Sequence, residues 1–571
     1  MAKDTQALPG PPRSEGLSFI EASLLFLGFL VLAFAIYRPA LGGPFFTDDF
    51  NYIVENPFIA SLDSGSVFEL FRPGGAASLY VVNYSPLHLL WLGVERAAFG
   101  SWTPGYHVLN VVFHVLNAVL LVVLLRRSHL ASLAALGAGL LFLVHPANVE
   151  AVAWISQSKT NVSLAFSLAA LIGLRNRPFL SVVLFAVALL FKASALFVLP
   201  MGWALAYSYR MDRRHAAALV LWTGIFLVYA VLEMQAFQYG GWHEEPLFAD
   251  SFVHFRTVTA IGMRYLVMAA TSFGVSALQQ PEPVEAWLDP FWLLAIPVGL
   301  LLLFRIVVTL RKRQPEAAFW IGAAAAFAPV SQIFPFIFPM ADRYLYPVLP
   351  GLLGGAFLAL QDAQQRFAVR RGVREPAARG VQGRWLVWPV CALAIVFAFR
   401  SAERATLWAD ADSLVGESAQ NYPDGAMAWY VRAREAAQRG DPQAVVDALE
   451  ESERRQGSAY RVHYADPFLA PVRAHPVFMV FAKEQALRRI QFARENDLVS
   501  QHWLRVSAHD HIVRGEYDEA LVTLERARRV GGVFDDVIVQ ELEAAREMIV
   551  AKRRGDPVPQ RFRPVGTPPG G

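Results

Sequence analysis

The sequence predicts an all-α protein in two parts: a polytopic membrane helix bundle of about 11 crossings, then a soluble C-terminal region of repeated helices. Three observations carry this. Apolar runs of membrane length recur between Leu17 and Arg400, arginines mark alternate connecting loops, and beyond Arg400 the hydropathy collapses into Ala-, Glu- and Arg-rich patterns. Of the 571 residues, 55% are hydrophobic and only 17% charged, and the charges crowd into the last third. The net charge of +3 is too small for a nucleic-acid surface, so no nucleic-acid partner is expected. The single cysteine, Cys391, excludes a disulfide framework and a cysteine metal site.

Residues 1–16 are polar and Pro/Gly-rich and are expected to be disordered. Leu17–Tyr37 lacks a small-residue cleavage site and is too long for a signal-peptide core, so it reads as a retained transmembrane helix. Further spans are expected at about 105–125, 131–146, 154–174, 178–192, 194–209, 216–236, 290–310, 317–338, 343–361 and 385–400. Arg126-Arg127, Arg175 with Arg177, Arg210 with Arg213-Arg214, Arg311-Lys312-Arg313 and the arginines from Arg366 to Arg384 mark one side, cytoplasmic by the positive-inside rule. The opposite loops hold Asp48-Asp49, Glu150, Glu244-Glu245, Glu282 and Glu285. Ser251–Leu278 is apolar but carries Arg256 and Arg264. A crossing there would invert every later basic loop, so it is expected to be re-entrant or to lie along the outer interface. The membrane domain is thus 17–400, with a first outer loop at 38–104 and a cytoplasmic N-terminus.

Residues 401–552 are expected to form a tetratricopeptide-like α-solenoid. Gly515-Glu516-Tyr517-Asp518-Glu519-Ala520 with Leu524 and Ala527, and Trp429-Tyr430 through Gly440-Asp441 to Ala448-Leu449, have the small, aromatic and turn positions of helix pairs. A generic helical bundle is the alternative. His463–Phe481 breaks the period, and 553–571 is Pro-rich and expected to be disordered.

Adjacent carboxylates flanked by Phe45, Phe46 and Phe50 are costly beside a bilayer, which makes Asp48 and Asp49 functional candidates. Tyr106, His107, Asn110, His114 and Asn117 recur three or four apart and share a helix face. That face either points into a cavity or makes interhelical hydrogen bonds. His145-Pro146 closes one helix and Glu150 opens the next, where Glu150 either caps the helix or lines a site. Lys159 and Lys192 add cations on the same side. Arg343, between Asp342 and Tyr344 with Tyr346 beyond, either snorkels or clamps a phosphate. The histidine spacing matches no zinc signature. No Walker, dinucleotide, HExxH or GxSxG motif is present.

In order and spacing, these fragments resemble the transmembrane and tetratricopeptide-repeat O-mannosyltransferases and their bacterial relatives, in the C-type glycosyltransferase class. The resemblance rests on Asp48-Asp49 with Asn56-Pro57, Tyr106-His107 with Asn110 and His114, and His145-Pro146 with Glu150-Ala151-Val152-Ala153-Trp154. It continues through Asp342-Arg343-Tyr344-Leu345-Tyr346-Pro347 and Trp408-Ala409-Asp410. It implies transfer of a sugar, such as mannose, from a polyprenyl- or dolichyl-phosphate carrier to a hydroxyl on a protein or glycan acceptor at the non-cytoplasmic face. Asp48 and Asp49 are then the implied acid/base pair, Arg343 a donor-phosphate ligand, and His107, His145 and Glu150 cavity-lining residues. Tyr106, Asn110, Lys159, Lys192 and Tyr346 join them as donor-binding or cavity-lining candidates. The family's Lys-Glu pair reads Lys192-Ala193 in this chain.

The physics of that chemistry agrees, because glycosyl transfer needs a base for the acceptor and stabilisation of the departing phosphate. A divalent cation at Asp48 and Asp49 is the cofactor the pattern allows. A scaffold acting through the repeats, or a transporter, is the alternative. The expected location is a bacterial inner membrane, among membrane lipids, with the repeats in the periplasm and open to a protein partner.

Overall fold

The computed structural model describes residues 17–54, 56–239, 250–333, 338–370, 387–456, 466–495, 501–530 and 535–558. The expected disorder of 1–16 and of the tail beyond 558 lies outside these residues, as do Glu244-Glu245 and the arginines from Arg371 to Arg384. Every regular element among the described residues is helical.

The first helix, α1 (Phe19–Tyr37), starts from a capping box in which Ser18 and Glu21 satisfy each other's backbone amides. The loop after it carries three short helices, α2 (Ser64–Phe71), α3 (Ala76–Val81) and α4 (Pro86–Phe99). Then come α5 (Thr103–Arg127), α6 (Ser132–Leu143), α7 (Val149–Ala153), α8 (Ser158–Asn176), α9 (Pro178–Phe191), α10 (Val198–Ser208) and α11 (Arg213–Tyr239). The bundle is completed by α12 (Ser251–Thr271), α13 (Pro290–Arg311), α14 (Glu316–Phe327), α15 (Leu349–Arg370) and α16 (Val387–Leu407).

Four helices among the described residues are long and apolar enough to cross a membrane: Phe19–Gly42, Thr103–Arg127, Arg213–Ala236 and Pro290–Arg311. Ser132–Leu143 with Pro146–Ala153, bent by 50°, makes a fifth if counted as one span. Pro178–Phe191, Ala193–Ser208 and Glu316–Val330 are shorter apolar helices. The first, third and fourth long helices leave most of their surface open, whereas α5 is 61% buried over its most apolar window. That difference makes α5 the axis of the bundle. Its polar face is consumed internally: Asn117 donates to the Asn161 carbonyl at 2.9 Å, and His114 meets the Leu143 carbonyl and the Tyr346 hydroxyl, both at 2.9 Å.

Close approach of backbones supplies much of the packing. A Cβ on Gly354 would lie 2.1 Å from the Phe319 ring, and one on Gly351 2.6 Å from the Phe319 carbonyl oxygen. Glycine on this face of α15 therefore lets α14 sit directly against it.

Hydrogen bonds sort the loops into two ends. At one, Arg127 donates to the Ile172 carbonyl at 2.9 Å, and Arg305 binds Glu316 at 2.6 Å and Asp362 at 3.1 Å. At the other lie Asp49, Glu150, Ser156 and Arg343. Helix α12 bonds residues of this second end: Arg256 donates to the Val284 and Glu285 carbonyls at 3.0 and 3.1 Å, and Tyr265 to the Ala341 carbonyl at 3.0 Å.

The C-terminal region also begins at the second end. It comprises α17 (Ala411–Asn421), α18 (Ala426–Gln438), α19 (Pro442–Gln456), α20 (Pro476–Glu495), α21 (Gln501–Arg514), α22 (Tyr517–Val530) and α23 (Asp535–Arg554). Gly440 and Gly515, at φ +70° and +78°, make the turns between α18 and α19 and between α21 and α22. Ala433, Ala437, Val445 and Leu449 form the core of the first pair, and Ala508, Leu524 and Ala527 contribute to that of the second. Phe478 and Phe481 of α20 pack into the first of these cores. Helix α23 runs through Arg554, two residues beyond the expected boundary.

Candidate functional site

The acidic pair sits on a turn that begins with Thr47 at φ +40°, a left-handed backbone that a β-branched residue adopts at a cost of roughly 1–3 kcal/mol. Asp49 holds the turn in place. Its Oδ2 accepts the Phe46 amide at 2.9 Å and its Oδ1 the Ser156 amide at 2.8 Å. Asp49 is 1% exposed, and burial raises its carboxyl to about 7 against the pull of those bonds. Asp48 is half-buried, with no hydrogen-bond partner among the described residues. Its charge acts on Tyr52, Lys192 and Arg343 through space.

An aromatic cage surrounds the turn. Phe46, Trp154 and Trp408 stand with ring centroids 5.9–6.0 Å apart, and with Asp49 and Leu414 they line a small cavity. Trp154 also donates its indole N–H to the Phe46 carbonyl at 3.2 Å. A Cβ on Gly43 would fall 2.2 Å from the Trp408 carbonyl oxygen, so glycine is what lets the loop reach the start of the C-terminal region. His107 contacts the Gly43 carbonyl at 3.2 Å, and Asn110 donates to the Trp154 and Ile155 carbonyls at 3.1 and 3.3 Å. Both thus position the segments that hold Asp49.

Glu150 takes the Arg343 amide at 2.7 Å and pairs with its guanidinium. Glu150 is 2% and Arg343 11% exposed at the side chain, and Arg343 also lies about 5 Å over the rings of Trp154, Phe338 and Tyr344. Lys159 donates to the Tyr52 hydroxyl at 3.2 Å. Lys192 donates to the Thr160 hydroxyl at 2.6 Å and to Gln157 at 3.4 Å.

Three of the sequence candidates have all-internal contacts instead. His145 meets the Ala269 carbonyl at 3.1 Å and accepts the Ala147 amide at 3.1 Å. Tyr106 donates to the Gly100 carbonyl at 2.9 Å beneath Phe45 and Phe99. Tyr346 is fully buried between His114 and Asn117. Sequence reasoning missed Tyr52, His88 and Asn83. The first was readable as one helical turn beyond Asp48; the other two carried no signal, because only folding brings them to Tyr52.

Both Asp49 oxygens are occupied by amides, and no group of three His, Cys, Asp or Glu residues that could hold a metal ion exists among the described residues.

Fold and site together define a helical membrane protein with an acidic pair, an ion-paired arginine, a buried Lys159 and a part-buried Lys192 gathered at one end of its bundle. This chain is similar to protein O-mannosyl-transferases, as its motifs imply. It is 31% identical over 169 residues to the protein O-mannosyl-transferase F38B6.6 of Caenorhabditis elegans, a stretch covering 28% of this chain and 24% of that protein. It is 35% identical over 132 residues to the protein O-mannosyl-transferase Tmtc1 of Drosophila melanogaster, covering 22% of this chain and 15% of that protein. The matched stretch thus spans a quarter or less of either relative. No family model matches the sequence. Among solved structures, the archaeal oligosaccharyltransferase AglB from Archaeoglobus fulgidus, in complex with an inhibitory peptide and a dolichol-phosphate, aligns over 75% of this chain and 60% of its own. With a TM-score of 0.35 and 14% identity, that alignment does not establish a common fold.

Proposed function

We propose that this protein is an integral-membrane glycosyltransferase that moves a sugar from a polyprenyl-phosphate carrier to a hydroxyl on a protein. A hexose such as mannose is the favoured sugar, because both relatives are O-mannosyl-transferases. The observation that carries the reading is the division of labour in the acidic pair: Asp49 is locked by two amides, while Asp48 stays unbonded and half-buried, within electrostatic reach of Lys192 and Arg343.

Asp48 is the base that takes the acceptor hydroxyl's proton. The acceptor oxygen then bonds to the anomeric carbon as that carbon's bond to the phosphate oxygen breaks, and the bonding pair leaves with the carrier phosphate. Cations at this end offset the charge that develops there. Arg343 contributes from the rim, although Glu150 already neutralises much of its charge.

The reaction end is assigned to the non-cytoplasmic face, with the N-terminus inside, about 11 crossings, α12 along the outer interface, and a C-terminal α-solenoid on the reaction side offering a surface for acceptor proteins. A bacterial inner membrane is the proposed setting. The test is Asp48→Asn in full-length protein, assayed with a polyprenyl-phosphate mannose donor and acceptor mass spectrometry. Transfer should fall at least a hundredfold with insertion and melting behaviour unchanged. Undiminished transfer would sink the proposal.

A further inference from the structure

The backbone departs from regular α-helix on both sides of the acidic pair, and in opposite senses. Before it, Thr47 is left-handed at φ +40°. The turn there closes tightly, the Asp49 amide donating to the Phe46 carbonyl at 2.9 Å and the Phe50 amide to the Thr47 carbonyl at 3.1 Å. After it, Phe50–Val54 opens into a π-helix. A chain wound tightly at one residue and loosely a few residues later does not keep that shape by local preference, because both states are thinly populated. Partners elsewhere in the fold have to hold it, and single π turns recur at functional sites.

One such partner is Ser156, which grips Asp49. The other is Arg96, in the last turn of α4. A single guanidinium nitrogen, Nη1, donates to the Ile53 carbonyl at 2.7 Å and to the Asn56 carbonyl at 3.0 Å. The last carbonyls of a helix have no partner within it, and a charged donor satisfies them best. Among the described residues Arg96 pairs with no carboxylate, either aspartate included, so its charge goes to those two carbonyls. The clip spans the exit from the π-helix into the next turn, which Asn56 caps by accepting the Phe58 amide at 3.0 Å.

The two anchors do different things. Asp49 is tethered through its side chain, which fixes a point on the turn. The direction of the backbone through that point needs a second anchor, and Arg96 supplies it from the far side.

We infer that Arg96 is a positioning residue: by clipping the carbonyl end of the Phe50–Val54 π-helix, it fixes the direction in which Asp48 presents its carboxylate. The role of Asp48 as base rests on the proposed function; the clip stands without it. Released, the π turn would rewind towards α-helix and redirect the turn before it. A displacement of about 1 Å at a reacting group costs roughly a hundredfold in rate.

The test compares Arg96→Met, Arg96→Lys and Arg72→Met in full-length protein in detergent, by transfer kinetics with a polyprenyl-phosphate mannose donor and by hydrogen exchange. Arg72 is the control, in the same loop with its side chain 63% exposed. Arg96→Met should lower kcat roughly a hundredfold with the donor KM within about twofold. Exchange across 50–54 should rise roughly tenfold, with α5 unchanged. An ammonium can serve both carbonyls from one nitrogen, as Nη1 does, so Arg96→Lys should lose only about fivefold in kcat. That variant also keeps the test sound if Arg96→Met fails to fold. Wild-type kcat and wild-type exchange in every Arg96 variant that folds overturn the clip. A donor KM that rises as kcat falls, or a loss of kcat that only tracks a lower melting temperature, makes Arg96 a structural contact and overturns the positioning role. Faster exchange across 50–54 in a protein whose wild type transfers no sugar would instead remove the transferase reading and leave the clip standing.

Discussion

Ser156 gives its backbone N–H to Asp49 at 2.8 Å across 107 residues of sequence. With the Phe46 amide on the other oxygen, that bond makes Asp49 a strut between the first loop and the segment entering α8. Its neighbour Asp48, one residue earlier, is thereby held half-buried beside it without being used up in holding the turn.

The two aspartates should therefore fail differently. Asp49→Ala leaves two amides without their acceptor, at about 1–3 kcal/mol for each buried group, and should lower the melting temperature in detergent. Asp48→Asn should melt like the wild type and lose transfer. Equal melting temperatures for the wild type and Asp49→Ala would refute the strut.

The strut has a pH signature. Asp49 rises from its ordinary 3.8 to about 7 on burial, so the folded state holds this proton more tightly than the unfolded chain. The group's contribution is fully present below about pH 3.8 and is lost as pH climbs to about 7. Asp49→Asn cannot ionise. Denaturation at pH 5 and pH 8 should show the stability difference moving in the variant's favour as pH rises; a flat or opposite trend would contradict the assignment.

Glu150 and Arg343 should behave as a buried pair. Glu150→Ala strands a guanidinium and is expected to cost about 3–5 kcal/mol, whereas removing both charges together should cost much less than the two single changes summed. A double-mutant cycle on unfolding measures this, and additive losses would mean that the pair is not coupled.

A second buried network joins the C-terminal region to the membrane part. Arg404 bonds Asp342 at 3.1 Å and Glu417 at 3.0 Å, and Glu417 also takes the Ala277 amide at 2.9 Å. Arg404→Met should raise hydrogen exchange across 411–421 by an order of magnitude or more, from about 3–5 kcal/mol of lost pairing. Unchanged protection would show that packing alone holds that helix.

The α14–α15 contact is set by glycine. Gly354→Ala places a methyl 2.1 Å from the Phe319 ring, and overpacking of this kind costs about 1–3 kcal/mol. The same substitution at Gly299, where nothing lies within 4 Å, is the control in a melting comparison and should be close to neutral.

The helical architecture was readable because apolar run length and the break at Arg400 are local properties of the chain. So was the prominence of Asp48-Asp49, since adjacent acids between aromatics stand out beside membrane spans. His107 and Asn110 were readable as one helix face, but not as supports for the Gly43–Phe46 and Trp154–Ile155 backbones. Which groups His145 and Tyr346 meet was not readable, because a polar residue among apolar ones has the same pattern whether it meets a ligand, a backbone carbonyl or another side chain.

By itself, then, the sequence determined the all-helical class and the place of the acidic pair after α1, but not the helices α2, α3 and α4 inside the first loop. Only the tertiary structure decided which aspartate is bound and that Arg343 is matched by Glu150 193 residues away. The reason is physical: apolar periodicity is written within a single helix, whereas hydrogen-bond satisfaction and charge compensation depend on partners that only the folded chain brings within 3 Å.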